Sequence, residues 1–281
     1  MDEIGVVGAG QMGSEIAFVY ALGGYRVLIA DQTPAILASA VERLAGLGSR
    51  GARRGFWTEE AASDGLRRIT PVADIEGFGT CAMVTEAVFE ELSVKAAVLK
   101  ALDSICNDTC ILATNTSTIP ISTLAAAVGR ERRTKFVGTH YFSPVSRMKL
   151  VELIAGFDTA PATVDEVHRL CVSVGKIPIR VRDVPGFAVN RVFHAFVIEA
   201  IRLVEEGVAT VDDIDLACRH GLGHPMGPFE LMDATTSTLC LQAQEIMFEA
   251  YGERFRPRPL LKQRVRAGLV GGKNKPGWRR H

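Results

Sequence analysis

The sequence predicts an α/β fold: a Rossmann-type, mostly parallel and doubly wound sheet, followed by an all-α C-terminal domain. The first observation is that short apolar segments alternate with helix-length segments through the first two thirds of the chain. The second is that no convincing strand follows Pro185-Gly186. The chain has 281 residues, 47% hydrophobic and 23% charged, which is enough for two globular domains. We therefore expect domains at residues 1–184 and 185–281.

The predicted strands of the first domain are apolar on both faces, as expected for a parallel sheet covered on both sides. Helix-length segments between strands favour right-handed crossovers. The predicted strands are Ile4–Val7, Arg26–Ala30, Met83–Thr85, Ile111–Ala113, Lys135–Tyr141, Leu150–Ala155 and Ile177–Val181. The predicted helices are Gln11–Leu22, Pro34–Gly46, Leu92–Ile105 and Ile121–Ala127, with one more that ends at Gly175.

The second domain is predicted to contain only helices. Its first helix is apolar over more than one face, which indicates burial from several sides. A subunit interface would explain this, and a central helix in a monomeric bundle is the alternative. The predicted helices are Phe187–Glu206, Val211–His220, Pro228–Ala234, Ser237–Tyr251 and Pro259–Ala267.

Charge and cysteine content exclude several classes of protein. Lys plus Arg and Asp plus Glu number 32 each, and this balance argues against nucleic acid or an anionic membrane as the main partner. No apolar run reaches the roughly 18 residues of a membrane span, and we expect no leader peptide. The six cysteines are scattered without a C-x-x-C pair, so we expect reduced thiols and a cytoplasmic protein. No metal site is predicted, because no His/Cys/Asp cluster has metal-ligand spacing.

A glycine-rich turn between the first strand and the first helix predicts a dinucleotide site. Gly8 allows a tight turn, Gly10 allows close approach of a pyrophosphate, and Gly13 allows close packing of helix on strand. Asp31, at the end of the second strand, is placed to accept hydrogen bonds from a ribose and to repel a 2′-phosphate. NAD is therefore predicted over NADP. A structural turn without nucleotide and an FAD-binding version of the fold are the alternatives.

A second group of polar residues follows the last strands of the sheet. His140 ends one predicted strand and Glu152 lies in the next, so a loop that folds back would bring them together. A carboxylate on one imidazole nitrogen raises the basicity of the other, which suits removal of a proton from an alcohol while its carbon loses hydride. A structural histidine, and an ion pair between Glu152 and Lys149, are the alternatives that spacing alone leaves open.

Taken together, these residues resemble the L-3-hydroxyacyl-CoA dehydrogenase family, 3-hydroxybutyryl-CoA dehydrogenases included. The similarity runs nearly end to end, and its motifs occur in the family's order. They are Gly8–Gly13 with Asp31, Thr114–Ser117, His140–Pro144, Met148–Glu152, Asp183–Arg191 and Pro225–Asp233. The resemblance implies reversible, NAD-dependent oxidation of an (S)-3-hydroxyacyl thioester, with His140 as general base oriented by Glu152. It also implies that residues 185–281 bind substrate and form a homodimer.

The resemblance assigns further site residues. Ser117 and Asn190 would complete the catalytic site and, with Arg54, bind substrate. Turn capping, helix capping and a solvated charge pair with Arg53 are the respective alternatives. A solvated helical turn is the alternative for Glu90 and Lys95. The implied cofactor-binding residues are Gly8, Gly10, Gln11, Met12, Gly13, Asp31, Glu90, Lys95, Ser117 and Ser143.

Three features depart from the commonest family pattern. Ser143 stands where many members have Asn, Thr236-Ser237-Thr238 replaces Gly-Leu-Asp, and the run Gly271–His281 ends in Trp-Arg-Arg-His. The last departure falls where the resemblance implies a C-terminal contact with the cofactor. Two other functions remain open: a dehydrogenase of a hydroxyacyl group on an acyl carrier protein, for which Arg50, Arg53 and Arg54 would form a basic patch, and a catalytically silent NAD-binding protein.

Overall fold

Eight strands form one sheet in the order β3-β2-β1-β4-β5-β6-β7-β8. All neighbouring strands are parallel except β6 and β7, which form an antiparallel pair. The predicted Rossmann-type fold with an all-α C-terminal part is confirmed. The strands are β1 (Glu3–Val7), β2 (Arg26–Ala30), β3 (Ile69–Val72), β4 (Met83–Glu86), β5 (Ile111–Thr114), β6 (Phe136–Tyr141), β7 (Leu150–Ala155) and β8 (Ile177–Arg182).

This structure, a computed structural model, describes residues 3–272 and 275–279. The chain divides into two compact units, Met1–Val184 and Pro185–His281. Of the C-terminal run noted above, Lys273, Asn274, Arg280 and His281 lie outside the described residues. Across the described ranges, no helix has both the length and the apolar character needed to cross a membrane.

The helices of the first unit alternate with its strands, as predicted, and one of them is longer than expected. The second helix runs to Arg53 rather than ending at Gly46. Its later glycines are packing positions: a Cβ at Gly51 would lie 1.9 Å from the Trp57 ring. The helices are α1 (Gln11–Leu22), α2 (Pro34–Arg53), α3 (Glu59–Arg67), α4 (Leu92–Ile105), α5 (Ile121–Ala125), α6 (Arg130–Arg133) and α7 (Pro161–Ser173), with a 3₁₀ turn at Glu76–Thr80.

One α-helix and one strand between α2 and β4 are absent from the sequence-based prediction. Helix α3 begins after Thr58, whose hydroxyl accepts a hydrogen bond from the Ala61 amide. Strand β3 pairs with β2 at the edge of the sheet and contains Pro71. Because an edge strand leaves one row of backbone groups unpaired, it tolerates a proline that a central strand would not.

The second unit consists of helices around its own core. That core includes Val197 and Ile201 from its first helix together with Phe229, Met232 and Trp278. On the same helix Val192 is 72% exposed. The helices are α8 (Val189–Glu205), α9 (Val211–Gly221), α10 (Pro228–Thr235), α11 (Ser237–Tyr251) and α12 (Pro259–Arg266), with a 3₁₀ turn at Gly252–Phe255.

Candidate active site

The glycine turn between β1 and α1 has the geometry of a phosphate-binding loop. Gly8 has a φ of +101°, and a Cβ there would lie 2.6 Å from the Ala87 carbonyl oxygen. A Cβ at Gly13 would lie 1.8 Å from the Gly8 carbonyl oxygen, whereas a Cβ at Gly10 would meet no heavy atom within 4 Å. The side of the turn at Gly10 is therefore open, as a bound pyrophosphate requires. Gln11 and Met12 open α1, whose N-terminus faces the same turn.

Asp31 follows β2 and lies against this turn. Its Oδ2 accepts a hydrogen bond from the Ala9 amide at 2.5 Å, and its Oδ1 accepts one from the Gln32 amide at 2.7 Å. These bonds fix the carboxylate beside the turn, where a ribose would follow a pyrophosphate. The residues present therefore fit NAD.

His140 and Glu152 are direct neighbours across the β6–β7 pair. The two residues are in register, and His140 Nδ1 lies 2.7 Å from Glu152 Oε2. The glutamate is fully buried and the histidine is 4% exposed. A buried carboxylate on Nδ1 holds the proton on that nitrogen, so Nε2 is the basic nitrogen of the ring.

Ser117 completes this polar group from the turn after β5. Its hydroxyl lies 3.0 Å from His140 Nε2, which is the basic nitrogen defined by the Glu152 contact. In the same turn, Asn115 Oδ1 accepts a hydrogen bond from the Tyr141 amide at 2.9 Å and so ties the turn to β6. The structure thus brings Ser117, His140 and Glu152 into one chain of contacts.

A network of charged side chains, Lys95, Glu86 and Glu90, holds the Ser117 turn in place. Lys95 and Glu86 are both fully buried, with Nζ 2.9 Å from Glu86 Oε1 and 3.3 Å from Glu90 Oε2. Glu86 also accepts a hydrogen bond from the Thr114 hydroxyl at 2.7 Å. Glu90 accepts one from the Ser117 amide at 2.7 Å. Lys95 is therefore not on a solvated helical turn.

The environment of Glu90 favours its charged form. Burial alone would raise the pKa of this carboxyl, but the Lys95 ammonium and the hydrogen bonds from Thr116, Ser117 and Thr118 hold the pKa below its usual value. Glu90 is thus an anion whose acceptor capacity is used to hold the Ser117 turn.

The loop between β6 and β7 is held by residues of α1 and by Lys176, which directly precedes β8. Gln11 Nε2 donates to the Ser143 hydroxyl at 3.1 Å, and Glu15 Oε2 accepts from the Ser146 amide at 2.9 Å. Lys176 donates to the carbonyls of Val145 and Met148. Burial lowers the pKa of Lys176 to about 8. The helix that carries the glycine turn is thus tied to the loop that joins His140 to Glu152.

The other two predicted site residues are Arg54 and Asn190. Arg54 follows α2 and is exposed. Asn190 lies in the first turn of α8, in the second unit, and the capping position of that helix is Ala188. Helix capping is therefore not the role of Asn190. In residues 3–272 and 275–279, no three His, Cys, Asp or Glu side chains are grouped as a metal site.

Fold and site together define a dinucleotide-dependent dehydrogenase with a histidine–glutamate pair. Residues 3–184 match the NAD-binding domain of 3-hydroxyacyl-CoA dehydrogenase, and residues 186–281 match its C-terminal domain. The chain belongs to the 3-hydroxyacyl-CoA dehydrogenase family, and its cofactor is NAD. This confirms the resemblance noted in the sequence.

Proteins similar to this chain over nearly its full length support the same family assignment. A probable 3-hydroxybutyryl-CoA dehydrogenase of Bacillus subtilis is 38% identical over 98% of this chain and 96% of its own. The fold is similar to Mycobacterium tuberculosis FadB2, with a TM-score of 0.94 and 35% identity over 99% and 98% of the two chains. It is also similar to (S)-3-hydroxybutyryl-CoA dehydrogenase PaaH1 of Ralstonia eutropha, with a TM-score of 0.93 and 34% identity over the same shares. An acyl-carrier-protein substrate and a catalytically silent protein find no support among them.

Four charged residues of the site escaped the sequence reasoning. The position of Glu86 could have been found from the sequence. It ends a strand beside β1, and ligands gather at the carboxyl ends of such strands. Glu15 lies in a predicted helix and Lys176 lies between a predicted helix and a predicted strand. Nothing in their spacing relates them to the β6–β7 loop. Arg43, on α2, donates to the Ala9 carbonyl across 34 residues of sequence.

Proposed function

We propose that this protein catalyses the reversible oxidation of (S)-3-hydroxyacyl-CoA to 3-oxoacyl-CoA, with NAD as hydride acceptor. The observation that carries the proposal is the His140 imidazole, held between Glu152 at 2.7 Å and Ser117 at 3.0 Å. A neutral imidazole with its Nδ1 proton held by a buried carboxylate is suited to act as a general base. The bond from Gln11 to Ser143 supports a cofactor position close to this base.

In the proposed step, His140 Nε2 takes the proton of the substrate 3-hydroxyl group. Glu152 keeps the opposite nitrogen protonated and stabilises the imidazolium that forms. The hydroxyl of Ser117 donates a hydrogen bond to the substrate oxygen, and Asn190 supplies a second donor, so both residues contact substrate. Bound NAD supplies the acceptor for the hydride that leaves carbon 3 as its C–O bond becomes a carbonyl. In the reverse direction His140 returns the proton.

The short-chain thioester is the substrate class we favour. Two of the relatives described above are named for 3-hydroxybutyryl-CoA. We assign contacts with the coenzyme A phosphates to Arg54, because it is an exposed cation at the end of α2. The 185–281 region would then hold the remaining substrate contacts.

An assay of NADH formation across (S)-3-hydroxyacyl-CoA chain lengths tests the proposed activity. We expect turnover with the four-carbon thioester and with NAD in preference to NADP. A hydroxyacyl group on acyl carrier protein serves as the comparison substrate and should react more slowly. Protein that is folded and binds NADH but leaves every thioester unchanged would contradict the proposal.

We also propose that the protein is a homodimer joined through its helical unit. Exposed apolar side chains in that unit support this: Val192 is 72%, Val208 64%, Leu222 63% and Leu239 58% exposed. Sedimentation should give twice the 30.4 kDa chain mass, and Val192→Asp should shift the protein toward the monomer. A wild-type monomer at micromolar concentration would contradict the dimer.

A cytoplasmic location is the last part of the proposal. All six cysteines are free and buried, which suits a reducing compartment. Fractionation of cells that produce the protein should recover it with cytoplasmic markers. Recovery with an exported or membrane fraction would contradict this location.

A further inference from the structure

Arg43 is a cation of α2 that makes contact with the glycine turn. Its Nη2 donates to the Ala9 carbonyl at 2.6 Å and to the Gly10 carbonyl at 3.3 Å. Nη2 and Nε also donate to the Ser14 hydroxyl, at 3.1 and 3.3 Å. Within the described part of the chain, every hydrogen bond of the Arg43 side chain goes to this turn or to Ser14. The arginine is half-buried, so its removal leaves no large cavity.

The contacted carbonyls determine where two amides point. In a trans peptide the C=O and the following N–H point in opposite directions. Holding the Ala9 carbonyl therefore aims the Gly10 amide away from Arg43. The Gly10 carbonyl, which Arg43 contacts together with the Ser14 amide and hydroxyl, does the same for the Gln11 amide. In residues 3–272 and 275–279, neither amide has a hydrogen-bond acceptor. Both amides are thus available to donate to a ligand, and a Cβ at Gly10 would meet no heavy atom within 4 Å.

Asp31 holds the same peptide segment from its other end. The Ala9 amide donates to Asp31 while the Ala9 carbonyl accepts from Arg43, so this residue is held at both of its backbone polar groups. A guanidinium behind the turn also offsets the partial negative charge of the two carbonyls, which would otherwise repel an anion. Preorganised donors bind an anion more tightly, because they lose less conformational freedom on binding.

We propose that Arg43 is a positioning residue of the dinucleotide site, holding the Ala9 and Gly10 carbonyls so that the amides of Gly10 and Gln11 face the pyrophosphate. The inference rests on the proposed function and on its cofactor. It assigns Arg43 no contact with substrate or with the nicotinamide. Arg43 should therefore affect affinity for the pyrophosphate and leave the chemical step unchanged.

The test compares Arg43→Leu and Arg43→Lys with wild type in fluorescence titrations of NADH and in competition by ADP-ribose. We expect Arg43→Leu to raise both Kd values about tenfold, equivalent to about 1.4 kcal/mol. Arg43→Lys should recover part of the affinity, since it keeps a donor and the charge. The value of kcat at saturating NAD should stay within about twofold of wild type, so that only KM for NAD changes. Lys100→Leu, which removes an exposed cation from α4, is the matched control for loss of charge.

Failure of the inference and failure of the proposed function give different results. Wild type that binds no NADH contradicts the proposed function itself. Wild type that binds NADH, with a folded Arg43→Leu variant whose Kd stays within twofold, overturns only the role of Arg43. An effect on NADH without an effect on ADP-ribose would overturn it as well. If Lys100→Leu raised the Kd for NADH as much as Arg43→Leu, loss of positive charge alone would explain the result. That outcome would also overturn the role of Arg43.

Discussion

At the scale of single residues, the site depends on buried charges that are matched in pairs. Lys95 and Glu86 are both fully buried and lie 2.9 Å apart, and Glu90 connects them to the Ser117 turn. Desolvation of an ion pair is costly, so such a pair adds little net stability over apolar residues of the same shape. Removing one member, however, leaves a buried charge without its partner.

Lys95→Met should therefore destabilise the protein by about 3–5 kcal/mol. The Glu86 carboxylate would remain in a fully buried position with no countercharge. Urea unfolding gives the free energy of unfolding. The double variant Glu86→Gln/Lys95→Met should recover part of the loss, because the amide is neutral. Lys100→Met, at an exposed position of the same helix, should change stability by less than about 0.5 kcal/mol. A loss below about 1 kcal/mol for Lys95→Met would contradict this reading.

The site could be predicted from the sequence only in part, for reasons visible at single residues. The contact between His140 and Glu152 could be predicted, because a turn between two neighbouring strands brings the ends of these strands together. Arg43 and Lys176 were not, because each binds backbone carbonyls, and a carbonyl carries no residue-specific signal in a sequence. Such contacts need three-dimensional coordinates.

At the scale of elements, the start of α11 contains a strained residue. Thr236 has a φ of +147°, in the region that favours glycine. Its hydroxyl caps the helix by accepting from the Leu239 amide at 3.3 Å. Strain of this kind costs about 1–3 kcal/mol, whereas replacing a capping Thr by Gly costs a few tenths.

Thr236→Gly should therefore stabilise the protein by about 1 kcal/mol, once the larger chain entropy of glycine is subtracted. The matched control is Thr210→Gly, which removes the cap of α9 at a residue whose φ is −77°. That variant should be destabilised, since no strain is relieved. Chemical unfolding of both variants gives the sign of the change in the free energy of unfolding for each. Loss of stability in Thr236→Gly as large as in Thr210→Gly would contradict the role of strain.

Helix α8 contains a histidine whose burial makes the helical unit sensitive to acid. His194 is 4% exposed, and burial lowers its pKa from 6.5 to about 4. Between these pH values the unfolded chain binds a proton at His194 that the folded chain does not. Stability from this group is therefore lost as the pH falls from about 6.5 toward 4.

His194→Leu should remove this part of the acid sensitivity. The stability of wild type relative to the variant should fall by up to about 3 kcal/mol between pH 7 and about pH 4, following the size of the pKa shift. Urea unfolding at several pH values measures the difference. His220→Leu, at an exposed histidine of α9, should show no such trend. A difference between wild type and His194→Leu that does not vary with pH would contradict the account.

Helix boundaries show why the sequence predicted some elements better than others. Gly46 predicts the end of the second helix, but α2 continues to Arg53 and includes the buried residues Gly48 and Gly51. At Gly51 the absence of a side chain makes room for Trp57, a long-range reason that local rules do not include. Strand β3 is absent from the prediction for a similar reason. It is a strand because it pairs with β2, and its own composition does not indicate this.

At the scale of the whole molecule, the fold follows from patterns that occupy long stretches of sequence. Two-sided apolar strands separated by helices specify the parallel sheet, and the loss of strands after Pro185 specifies the helical region. The antiparallel β6–β7 pair interrupts this pattern once, and it is the pair that brings His140 to Glu152. The proposed catalytic pair thus depends on one local change in strand direction, and α1 contacts the loop at which this change occurs.

The proposed role of His140 as general base is tested most directly by the rate of NADH formation from (S)-3-hydroxybutyryl-CoA by wild type and by His140→Ala. We expect kcat to fall by about 10²–10⁴-fold in the variant, because the general base is lost. The Kd for NADH should stay within about twofold, because no residue of the glycine turn changes. A His140→Ala variant that turns over at the wild-type rate would contradict the account.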